Sequence, residues 1–142
     1  MPLREDDEVI EEEYILRRVP NRDDYFNPRQ FLSIDPQAFR SNSSDVDGIS
    51  VSREMFIEPS QLSLICRKPP YIVVRLLVRD ILNIGLTVIP APTPEGQCAS
   101  PGHALIPELK LDKTLKGEAK KRIKKIRLEL AKLASNGLAH EP

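Results

Sequence analysis

The sequence predicts an α+β domain, with a small mixed or antiparallel sheet, short helical turns and a long C-terminal amphipathic helix. Short segments rich in β-branched residues alternate with turn residues over the first 109 positions. Prolines punctuate that region and exclude long regular elements there. From residue 112 to 134 the pattern changes to aliphatic residues spaced three and four apart, which is typical of a helix that packs one face. With 142 residues, the chain fits one domain with tails.

The segment at residues 71–89, YIVVRLLVRDILNIGLTVI, organises the predicted core. Its β-branched and aromatic start predicts a buried strand, followed by one or two helical turns from about Leu77 to Ile84. Gly85 is predicted to end these turns in the left-handed conformation, and a second strand precedes Pro90. One helix over residues 72–84 is the alternative that periodicity does not exclude. Three charged residues within the segment argue against a membrane span.

Four other short strands are predicted from β-rich runs between turn signals, at residues 14–19, 30–34, 49–52 and 102–107. Asp35 and Pro36 predict a single helical turn, because Asp is a favoured N-cap and Pro suits the first helical position. Phe39 is the expected core anchor of that turn. Pro59 starts a second brief helix, which is expected to run to about Ile65.

The long helix is predicted to start at Asp112 and to stop at Ser135-Asn136-Gly137. The sequence therefore predicts four parts of the chain: an acidic flexible arm at residues 1–12, an α+β core at 13–109, a basic helix at 110–135 packed on or projecting from the core, and a tail at 136–142. Residues 1–13 hold seven acids and one base, and residues 110–132 hold ten bases and three acids. These charges are complementary, although the formal net charge of the chain is zero.

The basic helix is the first candidate site, with five residues expected to bind an acidic protein partner or phosphates: Lys120, Lys121, Lys124, Lys125 and Arg127. A solvated helix face is the plain structural interpretation of the same charges. Nucleic acid is the alternative ligand, but no aromatic residues are interleaved with these bases to stack on single strands. The acidic arm is expected to compete for the helix in cis, or to pair with it in a second copy and so form a homo-oligomer. The sequence thus predicts a small non-enzymatic interaction module.

An enzyme is the second hypothesis, with a nucleotide- or nucleic-acid-processing cleft. Arg17 or Arg18, then Ser50-Val51-Ser52, then Glu108 resemble in outline the Arg, Ser-x-Ser, Glu order of one class of ADP-ribosyltransferases. His103, after a Pro-Gly turn, is added to this set as a candidate base. Outward-facing polar residues on half-buried strands are the structural alternative for the serines and arginines, and a hydrogen-bonded structural histidine is the alternative for His103.

No metal site or cofactor is predicted, because the sequence contains none of the common phosphate, metal or acyl-transfer motifs. Cys98 and His103 supply only two of the four ligands that a structural zinc site needs. Cys66 and Cys98 lack a CxxC spacing and are predicted to be reduced thiols. With an acidic N-terminus unlike a signal peptide, this favours a cytoplasmic protein. The DGISVSR and PGHALIP segments resemble those of small bacterial accessory proteins.

Overall fold

A computed structural model describes residues 3–66, 70–92 and 100–142 and shows an α+β fold. Within these ranges, six strands form one antiparallel sheet in the order β4-β5-β2-β1-β3-β6. The strands are β1 Tyr14–Val19, β2 Ile49–Arg53, β3 Ile72–Leu77, β4 Ile89–Pro90, β5 His103–Ile106 and β6 Leu138–His140. The α-helices are α1 Pro59–Leu64, α2 Val78–Ile84 and α3 Gly117–Ser135.

Both faces of the sheet are covered, which explains why β3 is apolar at every position except Arg75. The main core contains Ile15 of β1 and Val74 of β3, and Leu130 of α3 packs into it. Leu16 and Val73 point to the opposite face, where they pack with Leu62 of α1 in a smaller cluster. The alternation along β1 thus places successive side chains in two different cores.

The organising segment folds as the first interpretation predicted up to Gly85, whereas the second strand is shorter than predicted and consists of Ile89–Pro90. β3 pairs with β1 over six residues, α2 follows without a loop, and the alternative of one helix over residues 72–84 is wrong. Gly85 ends α2 with φ +99, and its N–H donates to the carbonyl groups of Ile81 and Leu82. This left-handed conformation is one that glycine adopts at little cost.

The helical turn at Pro36–Phe39 is confirmed as a 3-10 turn, with the Asp35 carboxylate accepting from the Gln37 N–H. Phe39 is fully buried, as expected. The strand predicted at residues 30–34 is wrong, because an isolated bridge between Phe26 and Ile34 replaces it. The side chain of Phe31 in that segment is fully exposed.

The long helix begins later than predicted, at Gly117 instead of Asp112. The Asp112 carboxylate accepts from the N–H and hydroxyl of Thr114, and so holds a local turn before the helix. The predicted stop is confirmed, with Asn136 as the C-cap. Beyond it the chain forms β6 and pairs with β3, at residues for which the sequence predicted only a tail.

The acidic arm lies against the core around the fully buried side chain of Arg53. Arg53 forms two hydrogen bonds with the Glu13 carboxylate, at 2.8 and 2.9 Å, and its Nη1 donates to the Asp7 carbonyl at 2.7 Å. Glu11 pairs with Arg79 on α2 at 3.5 Å. In residues 3–13, the ion pairs to the rest of the chain run from Glu13 to Arg53 and from the arm to Arg79, and none reaches α3 within the described chain.

Cys66 is disulfide-bonded, so the prediction of a reduced thiol at this position is wrong. Cys98 and most of the proline-rich loop at residues 90–96 lie outside the described residues. Among the helices that the structure describes, none combines the length and the apolar character needed to cross a bilayer.

Candidate basic groove and polar cleft

The N-terminal half of α3 forms one wall of a groove of about 750 Å³. Of the five predicted basic residues, Lys120, Lys124 and Arg127 line this groove. Lys121 and Lys125 are exposed but are not among its lining residues. Residues three and four apart share a helix face, so the structure divides the predicted set into a groove-facing group and an outward-facing group.

The opposite wall is formed by the 3-10 turn with the residues after it, and by the loop before α3. Two more bases, Arg40 and Lys113, join the three from α3, and Asp112 is the one acid among the lining residues. The apolar part of the lining is aliphatic, and it consists of Pro36, Leu111, Leu115, Ile123 and Leu128. The groove therefore combines an apolar surface with a surplus of positive charge.

Arg127 is the least exposed of the cations that line the groove. Its Nε atom is buried and has no hydrogen-bond partner among the described residues. Burial lowers the pKa of Arg127, and the positive charge of Arg40 lowers it further. A buried donor without an acceptor costs about 1–3 kcal/mol, so an acceptor that enters the groove would recover part of that free energy.

A second concavity, a polar cleft of about 520 Å³, opens where β1 and β2 separate. These strands pair only at Ile15 with Arg53 and at Leu16 with Ser52. Beyond that point the Arg17 side chain connects β1 to β2, because its Nη1 donates to the Ser50 carbonyl at 2.6 Å. Its Nε and Nη2 donate to the Ala38 carbonyl of the 3-10 turn. Burial lowers the pKa of Arg17 to about 10, and the nearby Asp45 only partly offsets this effect.

Arg18 and Tyr71 form another part of the cleft wall. The Arg18 guanidinium lies 5.1 Å from the centre of the Tyr71 ring, and its Nη1 donates to the Ile65 carbonyl at 2.9 Å. Burial also lowers the pKa of Arg18. Arg40 lines both the cleft and the basic groove, so the two concavities are neighbours.

Two of the residues proposed for the enzyme hypothesis meet through their side chains. The His103 Nε2 lies 3.0 Å from the Ser50 hydroxyl, and its Nδ1 lies 2.7 Å from the Ala91 carbonyl. A carbonyl only accepts, so in neutral His103 the proton resides on Nδ1, and Nε2 accepts from Ser50. Ser52, buried next to this pair, forms a hydrogen bond with Ser100 instead.

Glu108 is placed elsewhere, on the 3-10 turn Pro107–Leu109. Its carboxylate accepts from the N–H and the hydroxyl of Thr87, and it is not among the residues that line the polar cleft. The arrangement therefore joins Ser50 to His103 and to the Arg17 guanidinium, but it does not bring Glu108 to them.

The residues that sequence reasoning missed are Arg40, Asp45 and Tyr71. Each is a single polar or aromatic residue beside a turn or at a strand end, where no spacing marks it. Arg40 follows the predicted anchor Phe39, and that adjacency is the only signal available. In comparisons with protein-family models, curated proteins and solved structures, no match to this chain was found.

Proposed function

We propose that this protein is an interaction module whose basic groove binds an acidic, partly apolar segment of a protein partner. One observation carries the proposal: the groove presents five bases against one acid around an aliphatic surface. An acidic segment with apolar side chains on one face complements both properties, because its carboxylates would meet the bases while its apolar residues cover the aliphatic wall.

Arg127 adds a specific contact point to this general complementarity. Its buried Nε–H has no acceptor in the described protein, and a carboxylate is one of the acceptors that a guanidinium binds strongly. Lys120 and Lys124 are exposed on the same wall, and neither forms an ion pair with the described residues. Their charges are therefore available to a partner.

Nucleic acid fits this groove less well. Phosphates would be attracted to the same bases, but none of the described residues that line the groove is aromatic, so an unpaired base has no ring there to stack on. The acidic arm is also a weaker candidate for the occupant than a separate partner, because Glu11 and Glu12 already pair with Arg79 and the Asp7 carbonyl accepts from Arg53. A cytoplasmic location, expected from the sequence, receives no support from the cysteines now that Cys66 is disulfide-bonded.

The test uses a designed peptide of about 15 residues, long enough to form a helix, with Glu on one face and Leu on the other. Its binding to the full chain is measured by fluorescence anisotropy at about 50 and 500 mM salt, which correspond to weak and strong screening. A peptide of the same composition in scrambled order tests the apolar face. A single-stranded RNA of similar charge tests the nucleic-acid alternative.

Two double variants with identical charge changes provide the control. Lys120→Glu with Lys124→Glu reverses charge inside the groove, and Lys121→Glu with Lys125→Glu reverses charge outside it. We expect the first pair to weaken peptide binding at least about tenfold, which corresponds to about 1.4 kcal/mol, and the second pair to have a much smaller effect. Equal losses for both pairs, or tighter binding of RNA than of the peptide, would contradict the proposal.

A further inference from the structure

The polar cleft contains two adjacent guanidinium groups that pair with no carboxylate of residues 3–66, 70–92 and 100–142. Arg17 donates to the Ala38 and Ser50 carbonyls, and Arg18 donates to the Ile65 carbonyl. Neither forms an ion pair with any acid of the described residues. Carbonyl groups satisfy N–H donors but do not neutralise charge, so the cleft retains a positive potential that an anion would lower.

The titration behaviour of these groups agrees with this geometry. Burial lowers the pKa of Arg17, Asp45 raises it in part, and the positive charge of Arg18 lowers it again. A bound anion would act in the opposite direction and stabilise both charged forms. Arg40 adds a third cation to the lining, against Asp45 as the single acid there.

The remaining lining indicates what kind of anion would fit. The cleft, at about 520 Å³, lies within the range of small-molecule sites. Tyr25 and Tyr71 contribute aromatic rings, and Ser41, Ser44 and Asn42 contribute further polar groups. A guanidinium binds phosphate oxygens through paired hydrogen bonds, and a tyrosine ring provides a flat surface against which a nucleobase packs.

We propose that the polar cleft binds a phosphorylated nucleotide, with its phosphates beside Arg18 and Arg40 and its base against Tyr71. This ligand differs from the acidic polypeptide proposed for the basic groove, and the two sites share only Gln37, Arg40 and Ser41. Arg17 remains a positioning residue, because its three nitrogen atoms already donate to β2 at Ser50 and to the 3-10 turn at Ala38.

Isothermal titration calorimetry of the full chain with ADP, pyrophosphate and adenosine tests the site. We expect ADP to bind with a dissociation constant below about 1 mM, pyrophosphate to bind more weakly, and adenosine to give no detectable binding at that concentration. Arg18→Gln, which keeps one donor for the Ile65 carbonyl, should weaken ADP binding about tenfold. Tyr71→Ala should weaken ADP binding clearly more than pyrophosphate binding, because it removes the ring proposed for the base as well as the ring on which Arg18 packs.

The outcomes also separate this proposal from the one for the groove. At about 150 mM salt, charges further apart than about 8 Å are largely screened from each other. The Lys120→Glu, Lys124→Glu variant should therefore bind ADP as the wild type does. Likewise, Arg18→Gln should bind the acidic peptide as the wild type does. Absence of both ADP and pyrophosphate binding, or an unchanged ADP affinity in a folded Arg18→Gln variant, would overturn the site. Equal weakening of ADP and pyrophosphate by Tyr71→Ala would overturn the nucleotide assignment.

Discussion

Replacing Arg53 by Met should cause a large loss of stability. All five N–H groups of Arg53 donate hydrogen bonds: two to the Glu13 carboxylate and three to arm carbonyls, those of Glu5, Asp7 and Glu8. Met fills a similar volume but supplies no donor, so the Glu13 carboxylate would stay buried with the Ile10 N–H as its one remaining described partner. Breaking a buried ion pair in this way costs about 3–5 kcal/mol.

A double variant separates the unpaired charge from the lost arm contacts. In Arg53→Met with Glu13→Leu no charge is left buried without a partner, so the loss should be clearly smaller than in Arg53→Met alone. Both variants should make residues 4–12 more sensitive to protease, because the three arm carbonyls lose their donor in both.

Urea unfolding followed by far-ultraviolet circular dichroism is the suitable assay, since the chain contains no tryptophan. Arg22→Met is the matched control, because its ion pair with Asp24 is more than half exposed and should contribute at most about 1 kcal/mol. A loss below about 1 kcal/mol for Arg53→Met would refute the reasoning, and so would a double variant less stable than the single one.

Two further predictions concern the backbone. Gly48→Ala should lower the free energy of unfolding by more than about 1 kcal/mol, because φ is +140 and the added Cβ would lie 2.7 Å from the Ile106 carbonyl oxygen. Gly85→Ala is the control and should lose only about 1 kcal/mol, because nothing lies within 4 Å of its added Cβ. Equal shifts of the two variants in thermal unfolding would contradict the prediction. Removing residues 138–142 should expose the outer edge of β3 and promote self-association, because an unpaired strand edge can pair with another chain. Light scattering after size-exclusion chromatography measures this. A monodisperse, equally stable monomer would show that β6 does not protect the edge.

The elements with strong local signals were predictable from the sequence. β1, β2, β3 with α2, and α1 each combine a clear apolar pattern with a Pro, Asp or Gly at the boundary. The elements that depend on distant partners were not. β6 has only three residues and forms because the end of α3 delivers it to the free edge of β3. The segment at residues 30–34 has strand-like composition but no neighbouring strand to pair with beyond a single bridge.

The candidate sites divide in the same way. Helical spacing identified the basic residues of α3, but it did not show that Lys120 and Lys124 face a groove while Lys121 and Lys125 do not. That distinction depends on the wall that faces α3, which combines Arg40, remote in sequence, with the loop directly before the helix. The partnership of Arg53 with Glu13 spans 40 positions and has no local signature either. The opposite charges of the acidic arm and α3 predicted that the two would meet. In the structure, Arg53 instead holds the arm against the core through hydrogen bonds to its carbonyl groups.

The Arg127 side chain offers the most direct test of the proposed groove. Its Nε–H is buried with no acceptor in the described part of the chain, and the NMR resonance of that group can be followed while the Glu/Leu peptide is titrated into ¹⁵N-labelled protein. The proposal predicts a large downfield shift of this resonance, together with backbone shifts confined to residues 36–41 and 111–128. A resonance that stays unchanged while the peptide saturates the protein would show that binding occurs outside the groove, and would contradict the central claim.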